Sequence, residues 1–330
     1  MKLPIIDTHC DLLSYLAIVP GAKADKVDDI ACALPFLQEG NVKMQVLAIY
    51  TDVSSGSMAF AMLQAQKYRQ LLQEFPNGVC QADADFLHSI TEQSKIGLVT
   101  AIENAAGLAN EQVPLEAAFH QLDNLIGMTG RMAYISLTHH TENRFGGGNY
   151  TEVGLKDDGK RLLDYISGKK IAIDFSHTSD VLAEGILNHL EKENLDVPII
   201  ASHSNFREIW NHKRNLTDEF AKEIIKRGGI IGGNFLRAFL DNENPERIYE
   251  HILHGFEIGA EEQMCFGADF FYTKNFPDKS RLPFYFPNVA NAGKYPSILE
   301  KLSENLSQDQ LEKLAYKNCQ RFFGNLWKKA

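Results

Sequence analysis

The chain has 330 residues, of which 44% are hydrophobic and 23% charged, and its formal net charge is −10. These values are typical of a globular protein, and the negative charge argues against binding to nucleic acid or to an anionic membrane, because both are negatively charged. Five scattered cysteines argue against a disulfide framework, and the sequence shows neither a signal-peptide pattern nor an apolar run that could span a bilayer, so we expect a cytoplasmic protein.

Eight short runs rich in β-branched residues recur along the chain. Most of them are almost continuously apolar, which is typical of strands that are covered on both faces, as in a parallel sheet. In chain order, the predicted strands are residues 3–9, 42–50, 96–103, 132–139, 171–177, 197–203, 229–234 and 264–269.

Amphipathic stretches separate these runs and predict helices over residues 57–74, 114–125, 157–167, 180–193, 217–227, 245–258 and 307–323. Thr217 and Ser307 are suitable N-terminal caps, because a hydroxyl oxygen accepts from free backbone N–H groups. Eight strand–helix units in a chain of this length predict a single (β/α)8 TIM barrel over residues 1–330. A doubly wound open sheet is the competing arrangement.

One segment, residues 276–296, is rich in proline and aromatic residues. Four prolines make it incompatible with a regular helix or a central strand. It follows the eighth predicted strand, so we expect it to cover the barrel mouth as a lid or rim.

Residues that can bind metal ions end five of the eight predicted strands. Barrel enzymes place their chemistry at these carboxyl ends, and imidazoles and carboxylates seldom end strongly apolar strands by chance in such number. Two of the residues form an H-x-D pair, whose side chains point to the same side of an extended segment. Neutral imidazoles suit Zn²⁺. The candidate ligands are His9, Asp11, Glu103, His177 and His203.

The negative charge of the carboxylates at these strand ends indicates how many metal ions the site binds. Glu103 can bridge two cations with one oxygen each, and the other candidate ligands favour this role, although alone it would be better explained as an N-cap or a first-turn charge of the next helix. Asp269 either ligates a metal ion or accepts a proton from water. Two Zn²⁺ ions would balance Asp11, Glu103, Asp269 and a bridging hydroxide, whereas a single ion would leave carboxylates unpaired in a partly buried site.

Further residues are candidates for contacting substrate. His139 and His140 follow the fourth strand, and either could donate to a developing oxyanion; His139 is preferred because it ends the strand directly, whereas His140 could be a loop residue. Arg214 could bind a carboxylate through two parallel hydrogen bonds, although alone the segment 213–215 is more typical of a solvated basic turn.

In this order and spacing, these residues resemble the membrane dipeptidase (renal dipeptidase) family of zinc peptidases over nearly the whole chain. Two departures border the expected pocket. Phe271 follows GADF where family members often have a second acidic residue, and His140 and the glycine run 146–148 follow His139. The similar segments are IDTHCD (6–11), AIEN (101–104), LTH (137–139), DFSH (174–177), SHS (202–204), RNLTD (214–218), GGII (228–231), GADF (267–270), YP (295–296) and N-x-x-R (318–321).

The resemblance implies a zinc-dependent dipeptidase that takes dipeptide substrates, with a C-terminal D-residue as an additional substrate type, and it is compatible with a homodimer. It also implies a role for each residue: His9 and Asp11 hold one Zn²⁺, His177 and His203 hold the other, Glu103 and a hydroxide bridge them, Asp269 is the acid/base, His139 stabilises the oxyanion, and Arg214 binds the substrate's C-terminal carboxylate.

Two other readings compete with a dipeptidase. One is another barrel metallohydrolase, such as an amidase, a lactonase or a TatD-type nuclease. That nuclease type usually opens with H-x-H, and its polyanionic substrate suits a charge of −10 poorly. The other is a non-catalytic binding protein on the same barrel, which would be expected to have lost a ligand or the acid/base. This chain retains them all.

Overall fold

The structure, a computed structural model, describes residues 2–274 and 276–328. Its centre is a nearly closed barrel of eight parallel strands, in the order β7-β6-β5-β4-β2-β1-β9-β8, with a short additional strand, β3, paired to β4. This confirms the predicted (β/α)8 barrel. The strands are β1 (Ile5–Cys10), β2 (Val42–Tyr50), β3 (Val79–Gln81), β4 (Ile96–Glu103), β5 (Met132–Ser136), β6 (Ala172–Asp174), β7 (Ile199–Ile200), β8 (Ile231–Gly233) and β9 (Met264–Phe266).

A short contact between β7 and β8 joins the two edges of the sheet. Ala201 forms a parallel bridge with Ile231: its N–H donates to the carbonyl of Ile230 at 2.9 Å, and its own carbonyl accepts from Gly232 at 2.8 Å. A Cβ at Gly232 would overlap the carbonyl oxygen of Ser202, so glycine allows the close approach of the two strands. This contact between the two edges distinguishes the fold from an open, doubly wound sheet, the alternative that the sequence left open.

Helices surround the barrel, and each predicted helical stretch is helical in the structure. Thr217 caps its helix by accepting from the N–H of Phe220, and Ser307 forms a capping box with Gln310. The helices are α1 (Leu12–Ile18), α2 (Leu34–Glu39), α3 (Ser57–Glu74), α4 (Ala84–His88), α5 (Glu116–Thr129), α6 (Asp157–Ile166), α7 (Asp180–Lys192), α8 (Asp218–Lys226), α9 (Arg237–Leu240), α10 (Arg247–Glu257), α11 (Tyr295–Leu302), α12 (Gln308–Glu312) and α13 (Asn318–Leu326), with a π-helical turn at Lys313–Lys317.

The prediction missed β3 and the short helices α1, α2, α4, α9 and α11. Strand β3 has three residues, too few to show a periodic pattern, and it pairs with the first half of β4 while β5 pairs with the second half. No helix in the part of the chain that the structure describes is long and apolar enough to cross a membrane.

The proline-rich segment 276–296 contains three short 3₁₀ turns, at Lys279–Arg281, Pro287–Val289 and Ala292–Lys294, and its last two residues begin α11. Tyr285 forms an antiparallel bridge with Leu236, and its hydroxyl donates to the carbonyl of Asp269 at 2.6 Å. Leu236 follows β8 and Asp269 follows β9, so these contacts hold the segment at the carboxyl end of the barrel.

Candidate active site

The predicted metal ligands meet at the carboxyl end of the barrel. His9 lies within β1 and Glu103 ends β4, whereas His177, His203 and Asp269 each lie three residues beyond the last residue of their strand. The prediction that the strands continue to these residues is wrong. His177 and Asp269 have φ angles of 66° and 62°, so the backbone leaves the extended conformation and turns at both positions.

Glu103 is the centre of this arrangement. Its Oε1 lies 2.9 Å from Nε2 of His177 and 3.6 Å from Nε2 of His203, whereas its Oε2 lies 3.4 Å from Nε2 of His9. Asp11 completes the second side, with Oδ2 at 3.8 Å from the same His9 nitrogen. The two carboxylate oxygens therefore contact different donors, which adjoin each other where the rings of His9 and His203 stack with 3.6 Å between their centroids. These five residues are called the ligand cluster below.

The ligand cluster fits a divalent metal such as zinc. Donor atoms of His9, Asp11 and Glu103 lie within 4.8 Å of one another, and so do donor atoms of Glu103, His177 and His203. His9 Nε2 and Asp11 Oδ1 are buried and have no hydrogen-bond partner among the described residues. Leaving such an atom unsatisfied costs about 1–3 kcal/mol. Imidazole and carboxylate are the donor types that zinc takes in catalytic sites.

Tyr134 sets the orientation of His9. Its hydroxyl donates to the carbonyl of Thr8 at 2.9 Å, so its oxygen is free to accept from Nδ1 of His9 at 2.7 Å. With its proton on Nδ1, His9 presents the lone pair of Nε2 to the ligand cluster. The sequence analysis missed Tyr134, which precedes the end of β5 by two residues.

Asp174 anchors the loops that carry His177 and His203. Its Oδ1 accepts from the N–H groups of Ser176 (3.0 Å) and Ser202 (2.7 Å), and its Oδ2 accepts from the Ser202 hydroxyl (2.6 Å). The Ser202 oxygen in turn lies 2.6 Å from Nδ1 of His203. This chain of hydrogen bonds leaves Nε2 of His203 as an acceptor. Asp174 and Ser202 appear in the sequence only as motif members, and the structure gives them these contacts.

We expect Asp174→Asn to lower the affinity for zinc by about 10–100-fold, as loss of a carboxylate that supports a ligand typically does. The reason is that an amide cannot accept on both atoms, so the loops of His177 and His203 lose a shared anchor. Competition with a chelator measures the affinity. Asp164→Asn, on the exposed side of α6, is the matched control, and unchanged affinity in Asp174→Asn would contradict the anchoring role.

Charge distributes unevenly within the site. Burial by itself would raise the pKa of Glu103, but the surrounding His9, His177 and His203 hold it well below its usual range. Burial and the neighbouring charge of Glu103 raise the pKa of Asp11 well above its usual range. Burial lowers the pKa of His177 and of His203, which keeps both imidazoles neutral and able to coordinate a metal ion.

Asp269 lies beside the ligand cluster, with Oδ1 at 3.8 Å from Nε2 of His9. Its Oδ2 accepts from the side-chain amide of Asn234 at 2.8 Å. Burial raises the pKa of Asp269 to about 6, which His9 and Arg214 oppose and Glu103 supports. A carboxylate with such a pKa is suited to accept and return a proton near neutral pH.

His139 and His140 both border the ligand cluster. Nε2 of His139 lies 3.8 Å from Oε1 of Glu103, and its ring packs edge-on against Tyr50. Burial, followed by the neighbouring His140, lowers the pKa of His139 to about 3, so the imidazole is neutral and carries one N–H that can donate. His140 contacts Asn149 instead, with 3.0 Å between Nδ1 and Oδ1.

Arg214 is 3% exposed, so the reading of a solvated basic turn is wrong for this residue. Its Nη1 donates to the hydroxyl of Ser204 at 2.8 Å and its Nη2 to the carbonyl of His203 at 2.9 Å, and the guanidinium lies over the ring of Phe239. No carboxylate of the described residues forms an ion pair with it, and Nε has no hydrogen-bond partner there. The neighbouring Lys213 is exposed.

Comparison with known proteins identifies the family. The family model described as membrane dipeptidase (peptidase family M19) matches residues 1–329. The chain belongs to this family. The family confirms the predicted class of enzyme, because its members are metallo dipeptidases.

The individual relatives and solved structures that this protein resembles share less than 30% of its sequence. It is 28% identical over 264 residues to an uncharacterized protein in the pqqA 5′ region of Klebsiella pneumoniae, covering 76% of this chain and 89% of that protein. A solved structure described as the dipeptidase AC, a metallo peptidase, matches at 20% identity with a TM-score of 0.83, covering 99% of each chain. A metallo peptidase from Rhodobacter sphaeroides, liganded with a phosphinate mimic of the dipeptide L-Ala-D-Ala, matches at 19% identity with a TM-score of 0.82, covering 99% of this chain and 100% of that one. These structures share the fold.

Proposed function

We propose that the chain is a binuclear zinc dipeptidase. His9 and Asp11 hold one ion, His177 and His203 hold the other, and Glu103 bridges them. The support for two ions is the division of the ligand cluster by Glu103, whose Oε2 faces the first pair and whose Oε1 faces the second. A carboxylate that offers one oxygen to each of two donor sets is suited to a two-metal site.

The observation that carries the dipeptidase assignment is the buried guanidinium of Arg214, which forms no ion pair with any of the described residues. A buried charge without a counter-charge is costly, so the site calls for an anion. Arg214 Nη2 is bonded to the backbone of His203, a member of the ligand cluster, so a carboxylate bound to this arginine lies close to the reacting centre. Only a substrate with a free carboxylate near its scissile bond can reach Arg214 and the ligand cluster at the same time, and this selects dipeptides over longer peptides.

In the proposed reaction, the bound ions supply Lewis-acid polarisation and lower the pKa of the attacking water. Asp269 accepts the proton of that water and delivers it to the leaving amine. The neutral imidazole of His139 donates a hydrogen bond to the substrate oxygen as negative charge develops on it. Arg214 holds the C-terminal carboxylate and fixes the register of the substrate.

We propose that a D-residue at the C-terminal position is also accepted. The Rhodobacter sphaeroides protein binds a mimic of L-Ala-D-Ala on the same fold. In this chain Arg214 would fix the carboxylate itself, and fixing the carboxylate leaves the side chain of the C-terminal residue free to point in either direction.

The test is hydrolysis of L,L and L,D dipeptides, together with a tripeptide and a tetrapeptide, by chelated protein before and after zinc is restored. Zinc-dependent release of free amino acids from dipeptides, with little cleavage of the longer peptides, is the expected result. Comparable cleavage of the tetrapeptide would contradict the dipeptide selectivity. No cleavage of any peptide by protein with two ions bound would instead favour an amidase or a lactonase on the same site.

Replacing Arg214 with methionine is expected to lower kcat/KM for dipeptides by about 30- to 5 × 10³-fold, because truncating one partner of a buried, hydrogen-bonded charge pair typically costs about 2–5 kcal/mol. Dipeptide C-terminal amides should be poor substrates of the unaltered protein, and Arg214→Met should largely lose the preference for the free carboxylate. Arg227→Met, at the exposed end of α8, is the matched control. A retained preference in Arg214→Met would contradict the role.

A further inference from the structure

Four aromatic rings connect the ligand cluster to Arg214. Tyr150 stacks on His140 with 4.9 Å between the ring centroids, and it meets His212 edge-on at 6.1 Å. His212 packs in turn against Phe239 at 5.2 Å, and the guanidinium of Arg214 lies 5.3 Å from the centroid of this last ring. The four rings are called the aromatic wall below. We propose that the aromatic wall binds the side chain of the substrate's C-terminal residue and selects aromatic residues at that position.

The position of the aromatic wall decides which part of a substrate it can contact. At one end, the ring of His140 lies 4.8 Å from the ring of His177, a member of the ligand cluster. At the other end, the backbone N–H of Arg214 donates to Nδ1 of His212 at 3.1 Å. The inference rests on the proposed function, in which the scissile bond lies at the ligand cluster and Arg214 binds the C-terminal carboxylate. Only the C-terminal residue of a dipeptide lies between these two points, so its side chain is the one that can reach the aromatic wall.

Tyr150 is the member of the aromatic wall that is most accessible to a ligand, because it is 50% exposed. Its backbone N–H donates to the carbonyl of His140 at 3.2 Å, and the planes of the two rings differ by 27°. Burial lowers the pKa of Arg214, and Tyr150 is close enough to be among the groups that oppose this shift. A tyrosine ring that is already held in place presents a large contact surface at a low cost in conformational entropy.

His140 supports Tyr150 from behind and is itself fixed by the glycine run. Oδ1 of Asn149 lies 3.0 Å from Nδ1 of His140. Gly148, which precedes Asn149, packs so closely that a Cβ would overlap the carbonyl oxygen of His139, so glycine is needed for the loop to approach. Burial lowers the pKa of His140 to about 4, so its ring is neutral near pH 7 and Tyr150 stacks on an uncharged surface. The two departures near His139, the additional histidine and the glycine run, thus hold Tyr150 beside the site.

An acidic side chain is the competing occupant, because Arg281 of the proline-rich segment lies in the same region. After burial, the charge of Arg281 is among the causes that lower the pKa of His140 and of His212. The guanidinium of Arg281, however, lies over the rings of Phe276 and Phe284, at 5.2 Å and 5.6 Å from their centroids. These two rings already stabilise its charge, whereas the aromatic wall itself presents mainly ring carbons. An aromatic side chain is therefore favoured over an acidic one.

The test measures how tightly zinc-loaded protein binds phosphinate mimics of L-Ala-D-Phe and of L-Ala-D-Ala, by calorimetry. We expect the phenylalanine mimic to bind about tenfold more tightly, as apolar groups in an apolar site typically allow. Tyr150→Ala should abolish most of this preference, whereas Tyr150→Phe, which keeps the ring, should retain it. The ratio of kcat/KM for L-Ala-L-Phe to that for L-Ala-L-Ala gives the same comparison for the other configuration. Tyr165→Ala, on the outer helix α6, is the matched control.

Equal binding of the two mimics by the unaltered protein, binding of neither, or an undiminished preference in Tyr150→Ala would overturn the proposal. Tighter binding of a mimic that ends in D-Glu than of the phenylalanine mimic would also overturn it, because that result would assign the side chain to Arg281. Failure of the two proposals can be told apart. Dipeptide cleavage without a preference for phenylalanine refutes the aromatic wall alone, and tighter binding of the phenylalanine mimic without cleavage of any dipeptide refutes the dipeptidase alone.

Discussion

Replacing Asp269 with asparagine is expected to lower kcat for dipeptides by about 10²–10⁴-fold, the usual contribution of a positioned general base. Asparagine has nearly the same shape and can still contact Asn234, but it cannot accept the proton of the attacking water. The carboxylate oxygen Oδ1 lies 3.8 Å from Nε2 of His9, and donor atoms of Asp269, His9 and His203 lie within 4.8 Å of one another, so both roles have to be tested. Steady-state kinetics on zinc-loaded protein give kcat and KM separately, and we expect the loss to lie mainly in kcat.

The amount of bound zinc separates the two roles that the sequence allows for Asp269. If Asp269 is the proton acceptor, Asp269→Asn keeps its zinc while kcat falls. If it is a ligand, zinc and activity fall together, and the acid/base assignment is wrong. Asp123→Asn, an exposed carboxylate on α5, controls for the loss of one charge in the chain.

The ligand cluster could be predicted from the sequence because each of its members lies at the carboxyl end of an apolar strand or within three residues beyond it. That signal is local: a polar residue at the end of a buried run points to the carboxyl end of a barrel. It does not fix the strand end itself. The chain turns at His177 and Asp269 because both residues adopt positive φ angles. Positive φ is uncommon for residues other than glycine, and no pattern in the sequence predicts it here.

Residues that support the ligands could not be predicted, because their partners lie far away in sequence. Tyr134 contacts His9, 125 positions earlier, and Asp174 contacts Ser202, 28 positions later. Such pairs form only once neighbouring strands are in register. The burial of Arg214 could not be predicted for the same reason. Its own segment is polar, and the ring that covers it belongs to Phe239 in α9.

Glu103→Gln is expected to have the largest effect on the metal site. Gln keeps the volume of the side chain but offers one oxygen instead of two, so it can serve one half of the ligand cluster and not both. We expect bound zinc to fall from two ions to one or fewer. Loss of Lewis-acid stabilisation worth several kcal/mol lowers kcat/KM by about 10³-fold or more.

Metal analysis and kinetics on the same Glu103→Gln preparation provide the measurement, and Glu152→Gln, at an exposed carboxylate that pairs with Lys213, provides the control. The result also tests how the ions are shared. Because Oε1 faces His177 and His203 while Oε2 faces His9, a bridging carboxylate predicts that the substitution harms both halves of the site. If Glu103→Gln kept two tightly bound ions, the halves would be independent, each held by its own histidines, and Glu103 would be only a neighbour to them.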